Sequence, residues 1–196
     1  MRVAVLALQG DFAAHRSALE QRNVEAVELR RTADLTAVDG VVLPGGESTT
    51  MLRLLEEDAL AERLTSAVRE GLPVLATCAG LILLAREVRR PAQRSLGLLD
   101  VAVERNAYGR QVDSVVMPVT VEERAMAELG ATELEAVFIR APRVVEVGPQ
   151  VAVLARRGKD PVLLRQTSIV AATFHPELSV SSPVIDAFIA SLGGAR

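Results

Sequence analysis

Apolar runs of strand length alternate with helix-spaced patterns through the first half of the chain, and this alternation narrows the possible folds more than any other feature. Residues 3–8 read as a strand and 12–22 as a helix with Phe12, Ala18 and Leu19 facing inward. A second strand covers 24–29, Gly40 opens a third ("VVLPGG"), and 49–56 and 60–70 are helical. Gly71 stops the last of these, with Pro73 just beyond. A fourth strand spans 74–76, and a helix over 79–88 follows it. Strands separated by helices pair in parallel and are covered on both faces. The second half changes character. "VFIRAP", "VAVLARRG" and "PVLLRQ" are closely spaced strands, with "RRGKDP" a hairpin turn between two of them. "SIVAATFHPE" is a further strand, and Pro183 opens a closing helix. The expectation is one α/β domain over 1–196, its mostly parallel sheet carrying an antiparallel extension.

Composition removes several function classes. The chain is 49% hydrophobic and 24% charged, enough to bury a sizeable core. With one cysteine it forms no internal disulfide. The apolar run before Asp11 is too short for a secretory leader. The longest uncharged stretch, 71–85, falls short of the ~20 residues of a membrane helix. A cytoplasmic protein without membrane contact is therefore expected. Net charge is −3 and only 3% of residues are aromatic, which argues against nucleic acid. No metal and no cofactor is expected.

The single cysteine stands in "PVLATCAGLILLA", where a strand-like run passes directly into a helix-like one. A thiol at the carboxyl end of a parallel strand and the start of a helix sits where function collects, among N–H groups that favour its thiolate. Such an elbow needs small neighbours, here Ala76, Ala79 and Gly80, although a glycine is usual at the position of Ala76. Taken alone, Cys78 reads equally as a small buried hydrophobe. Of the two histidines, His15 falls in the first helix beside Arg16 and reads as a surface or boundary residue. His175, in "ATFHPEL", ends a strand, and the proline after it keeps it extended. Positions i and i+2 of an extended chain share a side, so Glu177 can sit beside the imidazole. Thiol, imidazole and carboxylate together make an activated nucleophile. Alternatively, His-Pro-Glu only turns the chain out of the sheet. In "LPGGEST" the N–H of Gly46, with that of Ala79, is a candidate oxyanion hole. The plainer reading is a glycine turn with Ser48 or Thr49 capping the next helix.

"LALQGDFAAH", "LPGGESTTM", "TCAGLILLA", "ERNAYGRQ", "FIRAP" and "FHPE", in this order, closely resemble the glutaminase subunits of pyridoxal 5′-phosphate synthase, which are class I, triad-type glutamine amidotransferases. Other branches of that class carry C-x-G-x-Q at the elbow, whereas this chain has Ile82 in place of the glutamine. The resemblance implies a three-layer, flavodoxin-like fold. It implies Cys78 as nucleophile, His175 as acid/base and Glu177 as its orienter, with glutamine held by Gly46, Glu47, Ser48, Arg105, Ile139 and Arg140. An arginine and a carboxylate suit the two charged groups of an amino acid. By sequence alone the plainer reading of Arg105 and Arg140, as surface arginines, is favoured. The resemblance further implies that L-glutamine is hydrolysed through a cysteine thioester, and that ammonia passes to a (β/α)₈-barrel synthase subunit in a large ring-based complex. Gln9 shares the edge that carries Cys78, and docking is expected to reorganise its loop. Three other readings stay open: a subunit of another amidotransferase, a non-catalytic docking subunit, and a stress-related hydrolase or chaperone. The last places a histidine soon after its cysteine, and none occurs between Cys78 and His175.

Overall fold

Alternation within the first strand decides how the sheet is covered. In the computed structural model, which describes residues 1–105 and 114–193, Val3 and Val5 join one apolar cluster and Ala4 and Leu6 join the other. Successive side chains of a strand point to opposite faces, so both faces of this strand need helices. The chain runs β1 (Arg2–Leu6), α1 (Phe12–Glu20), β2 (Glu25–Leu29), β3 (Gly40–Leu43), α2 (Ser48–Glu57), α3 (Leu60–Arg69), β4 (Val74–Thr77) and α4 (Ala79–Leu84). It continues through β5 (Ala85–Arg89), β6 (Leu99–Glu104), β7 (Ser114–Val121), α5 (Glu123–Leu129) and β8 (Glu133–Ile139). β9 (Arg143–Val147), β10 (Ala152–Arg157), β11 (Asp160–Gln166), β12 (Ile169–Ala172) and α6 (Pro183–Leu192) complete it.

Nine strands form one sheet in the order β2-β1-β3-β4-β12-β11-β10-β7-β8. Its first five strands pair in parallel and the rest antiparallel, as the change in sequence character predicts. The expected hairpin lies between β10 and β11, where Arg157 pairs with Asp160 across Gly158, whose φ is +58°. Leucines of α2, α3 and α4 fill one apolar layer, and residues of α1, α5 and α6 fill the other.

One helix differs from expectation. α4 stops at Leu84, and 85–89 forms a strand of a second sheet ordered β5-β6-β9. The carbonyls of Leu83 and Leu84 accept the N–H groups of Leu96 and Leu98, at 2.7 and 2.8 Å, instead of those one turn ahead. The uniformly apolar run from Leu81 to Ala85 gives no periodicity from which that exit can be read.

α4 packs closely enough on β3 that Gly80 has no room for a side chain. An added Cβ would lie 2.1 Å from the carbonyl oxygen of Leu43. Glycine to alanine inside a helix ordinarily stabilises by about 1 kcal/mol. Here the sign reverses, because backbone must move to accept a methyl group, and Gly80→Ala is expected to cost roughly 2–3 kcal/mol in chemical denaturation.

Candidate active site

Between β4 and α4 the chain has one residue in which to reverse. Cys78 does so at φ 48°, ψ −103°, a conformation that costs a side-chain-bearing residue about 1–3 kcal/mol. Its N–H donates to Ala172 of β12 at 2.8 Å, and its carbonyl accepts from Ile82 at 3.3 Å, so both neighbouring elements hold it there. Ala76 lies fully buried in register with Leu43 and Ala171, and the turn closes without a glycine at that position. The thiol, 7% exposed, opens on a cavity of about 340 Å³ at the carboxyl rim of the parallel strands, with Sγ 3.8 Å from the Ile139 carbonyl oxygen. A cavity of this size suits a small metabolite.

β12 lies next to β4, and the chain beyond it brings His175 to the same rim. The His175 N–H donates to the Val137 carbonyl at 2.8 Å, and Pro176 begins a 3₁₀ turn, Pro176–Leu178, that carries Glu177. Nδ1 of His175 is 2.8 Å from Oε1 of Glu177, and the imidazole and the Cys78 thiol line the same cavity. Burial alone would depress the imidazole pKa. Hydrogen bonds from the ring to Cys78 and Glu177, and the charge of both partners, outweigh burial and push it up to about 10. Burial would likewise raise the pKa of Glu177, but His15 and His175 pull it down to about 2.

The third wall is the glycine loop after β3. The Gly45 carbonyl accepts the Asp11 N–H at 3.3 Å, which turns the far side of that trans peptide, the Gly46 N–H, away from the first loop. Gln9 reaches across to accept the Glu47 N–H at 2.7 Å. Gly45 lies against the Cε1 edge of the imidazole, since an added Cβ would stand 2.3 Å from Cε1 of His175. Glu47 caps α2 by accepting the N–H groups of Thr49 and Thr50 at 3.3 and 2.7 Å, and it pairs with Arg105 at 3.0 Å. Its slight burial would raise its pKa, but the hydroxyl and N–H of Thr50, with those of Thr49, lower it to about 2. The cap is thus Glu47, not Ser48 or Thr49. Ser48 instead starts the helix and donates to Gln93 Oε1 at 2.9 Å.

Gly46, Glu47, Ser48, Cys78, Arg105, Ile139, Arg140 and His175 all line the one cavity. Ala79, Glu177 and Gln9 do not line it: Ala79 follows Cys78 at the start of α4, Glu177 bonds His175, and Gln9 accepts the Glu47 N–H. Arg140 is exposed, at φ 44°, whereas Arg105 is held by its carboxylate partner and is no free surface arginine. Of "ERNAYGRQ", everything after Arg105 lies outside the described residues. Sequence reasoning passed over Asp11, Gly45, Ile82 and Leu178, which also line the cavity. Each adjoins a motif residue, or in the case of Ile82 lies one helical turn from Cys78, and that proximity was the available signal.

The reading of His15 as a surface or boundary residue is wrong. Its side chain is 1% exposed, with Nε2 3.0 Å from Thr77 Oγ1 and 3.2 Å from Glu177 Oε1. His15 precedes the inward-facing Ala18 and Leu19 by three and four positions, so it shares their face of the helix.

Residues 5–193 match the SNO glutamine amidotransferase family. Pyridoxal 5′-phosphate synthase subunit PdxT of Thermotoga petrophila is 48% identical over 179 residues, covering 91% of this chain and 93% of that protein. The subunit of the same name from Koribacter versatilis is 48% identical over 189 residues, covering 96% and 94%. A glutamine amidotransferase crystal structure superposes with a TM-score of 0.89 at 42% identity, covering 97% of this chain and 98% of that one. The fold is that of the class I glutamine amidotransferases, and no helix among the described residues is long and apolar enough to cross a membrane. On these grounds the chain belongs to the SNO glutamine amidotransferase family.

Proposed function

We propose that this protein is the glutaminase subunit of pyridoxal 5′-phosphate synthase. It hydrolyses L-glutamine to L-glutamate and delivers the ammonia to a (β/α)₈-barrel synthase subunit, within a ring-based cytoplasmic complex. One observation carries the reading: Cys78 and His175 line a single metabolite-sized cavity, and Glu177 meets Nδ1 of His175 at 2.8 Å from behind it. Relatives about 48% identical over nearly their whole length bear the name of that subunit.

In the mechanism, His175 holds the proton of Cys78 and Glu177 holds His175 in orientation through Nδ1. The sulfur attacks the side-chain carboxamide carbon of glutamine, and the oxygen becomes an anion facing the N–H groups of Gly46 and Ala79. His175 gives its proton to the nitrogen, the C–N bond breaks, and ammonia departs from a γ-glutamyl thioester. Water then loses a proton to His175 and attacks the thioester carbon. The C–S bond breaks, glutamate leaves, and the thiol is restored. Arg105 and Arg140 complement the α-carboxylate. Glu47, which already accepts three hydrogen bonds, keeps Arg105 aimed at the cavity mouth and offers negative charge toward the α-amine.

Glutamate and ammonia release, measured with and without the synthase subunit, tests the function. Release that rises on adding the partner is expected, and none in either condition would sink the reading. Gln9 joins the first loop to the oxyanion loop through the Glu47 N–H. Gln9→Ala is therefore expected to blunt the partner-dependent increase, and full activation in that variant would show that the increase takes another route.

A further inference from the structure

The carboxylate behind the catalytic imidazole carries a second imidazole that the mechanism above does not use. Oε1 of Glu177 is 2.8 Å from Nδ1 of His175 and 3.2 Å from Nε2 of His15, and that Nε2 is also 3.0 Å from Thr77 Oγ1. Thr77 is the last residue of β4 and directly precedes Cys78. His15 thus joins the strand that presents the thiol to the carboxylate that orients the base. The side chains of His15 and Glu177 are 1% and 0% exposed, so both are withdrawn from bulk solvent.

We propose that His15 is a positioning residue for glutamine hydrolysis: by donating Nε2–H to Oε1 it keeps Glu177 ionised and seated against Nδ1 of His175. This rests on the reading of Glu177 as the orienter. Glu177 sits on a 3₁₀ turn of three residues, and its Oε2 is buried without a protein partner. Every hydrogen bond that offsets its burial therefore falls on Oε1, and among the described residues His15 and His175 supply them. An ionised carboxylate in such a place stays charged only when its donors are adequate. With His15 gone, burial favours the protonated acid, which accepts Nδ1–H poorly and leaves the imidazole free to turn. Because an ionised carboxylate only accepts, the contact with Oε1 puts the proton on Nε2. Among the described residues, the titratable groups that act on Glu177 are His15 from α1 and His175 from the segment after β12, with Cys78 beyond the latter. A histidine that merely filled the core between α1 and the 3₁₀ turn would affect stability alone.

Three variants separate these roles, each assayed for glutamate release with the synthase subunit present. His15→Leu is expected to lower kcat roughly tenfold to a hundredfold, less than loss of the orienter itself, with KM for glutamine unchanged. The deficit deepens as pH falls from neutral toward the ordinary carboxylate range near about 4, where Glu177 now takes up a proton. His15→Gln places an amide nitrogen near the Nε2 position and is expected to keep most of kcat and the wild-type pH profile. His15→Asn is equally polar but too short to reach Oε1, and should behave like the leucine variant. If leucine at this position fails to fold, the glutamine–asparagine pair decides. Equal kcat in those two, or a folded leucine variant with wild-type kcat and pH dependence, overturns the proposal. A wild-type protein that releases no glutamate overturns the proposed function instead.

Discussion

Replacing Cys78 with alanine is expected to lower partner-stimulated glutamine hydrolysis by at least about 10⁴-fold, because no other group can form the thioester once the sulfur is gone. Binding of the synthase subunit should survive, since the thiol is 7% exposed and its loss removes only one small buried atom. Residual glutaminase activity in the purified variant would count against the covalent mechanism. The same position yields a second, thermal expectation. With φ at 48° and ψ at −103°, Cys78 occupies backbone space that glycine enters without penalty. Alanine normally outranks glycine in stability because glycine loses more freedom on folding. Here relief of strain opposes that term, and Cys78→Gly should be more stable than Cys78→Ala by about 1 kcal/mol, some 2–4 °C in melting temperature. An alanine variant that melts higher than the glycine variant would refute strain at the elbow. Strain of this kind persists because it thrusts the sulfur into the cavity, while the hydrogen bonds of Cys78 to Ala172 and Ile82 hold the turn in place.

Gly45→Ala is expected to have the next largest effect, although Gly45 itself contributes no proposed catalytic group. The backbone of Gly45 lies outside the left-handed region, so alanine can adopt it, and the consequence comes from contact alone. The new methyl group would stand 2.3 Å from Cε1 of His175, with Nδ1 and Nε2 at 3.1 and 3.2 Å. Either the imidazole rotates off Glu177, or the glycine loop after β3 shifts away from the ring. A shift of about 1 Å in such a constellation costs on the order of 10²-fold in rate. The expected result is a kcat reduced by about that factor in steady-state assays. Because the ring borders the cavity and can swing into it, the melting temperature should change little. An unaltered kcat would mean that the imidazole and this loop are not in the working contact described here.

Much of the architecture follows from patterns local in sequence. Alternating apolar runs and helix-spaced segments predict the parallel half of the sheet, and "RRGKDP" predicts the β10–β11 hairpin, because both depend on residues close together in the chain. The second sheet is not legible in this way. β5 emerges from a run apolar on every side, and its partners β6 and β9 come from segments with no distinctive turn between them. The site shows the same division. His175 and Glu177 pair as their two-residue separation suggests, but through a 3₁₀ turn that Pro176 opens and not through the expected extended chain, and the Cys78 elbow follows from a strand meeting a helix with no loop.

By itself, then, the order of residue types determines which segments become strands and helices, where the chain must turn sharply, and which polar groups those turns carry to the carboxyl rim. These outcomes depend on backbone preference and on burial of one stripe or face, both set within a few residues. Only the tertiary structure decides that the second imidazole reaches the carboxylate of Glu177 from behind, and that Glu47 serves at once as helix cap and as partner of Arg105. Those relations arise where β4 and β12 lie side by side and α1 packs over the 3₁₀ turn. The burial of a polar side chain depends on neighbours many residues away, which no local periodicity encodes.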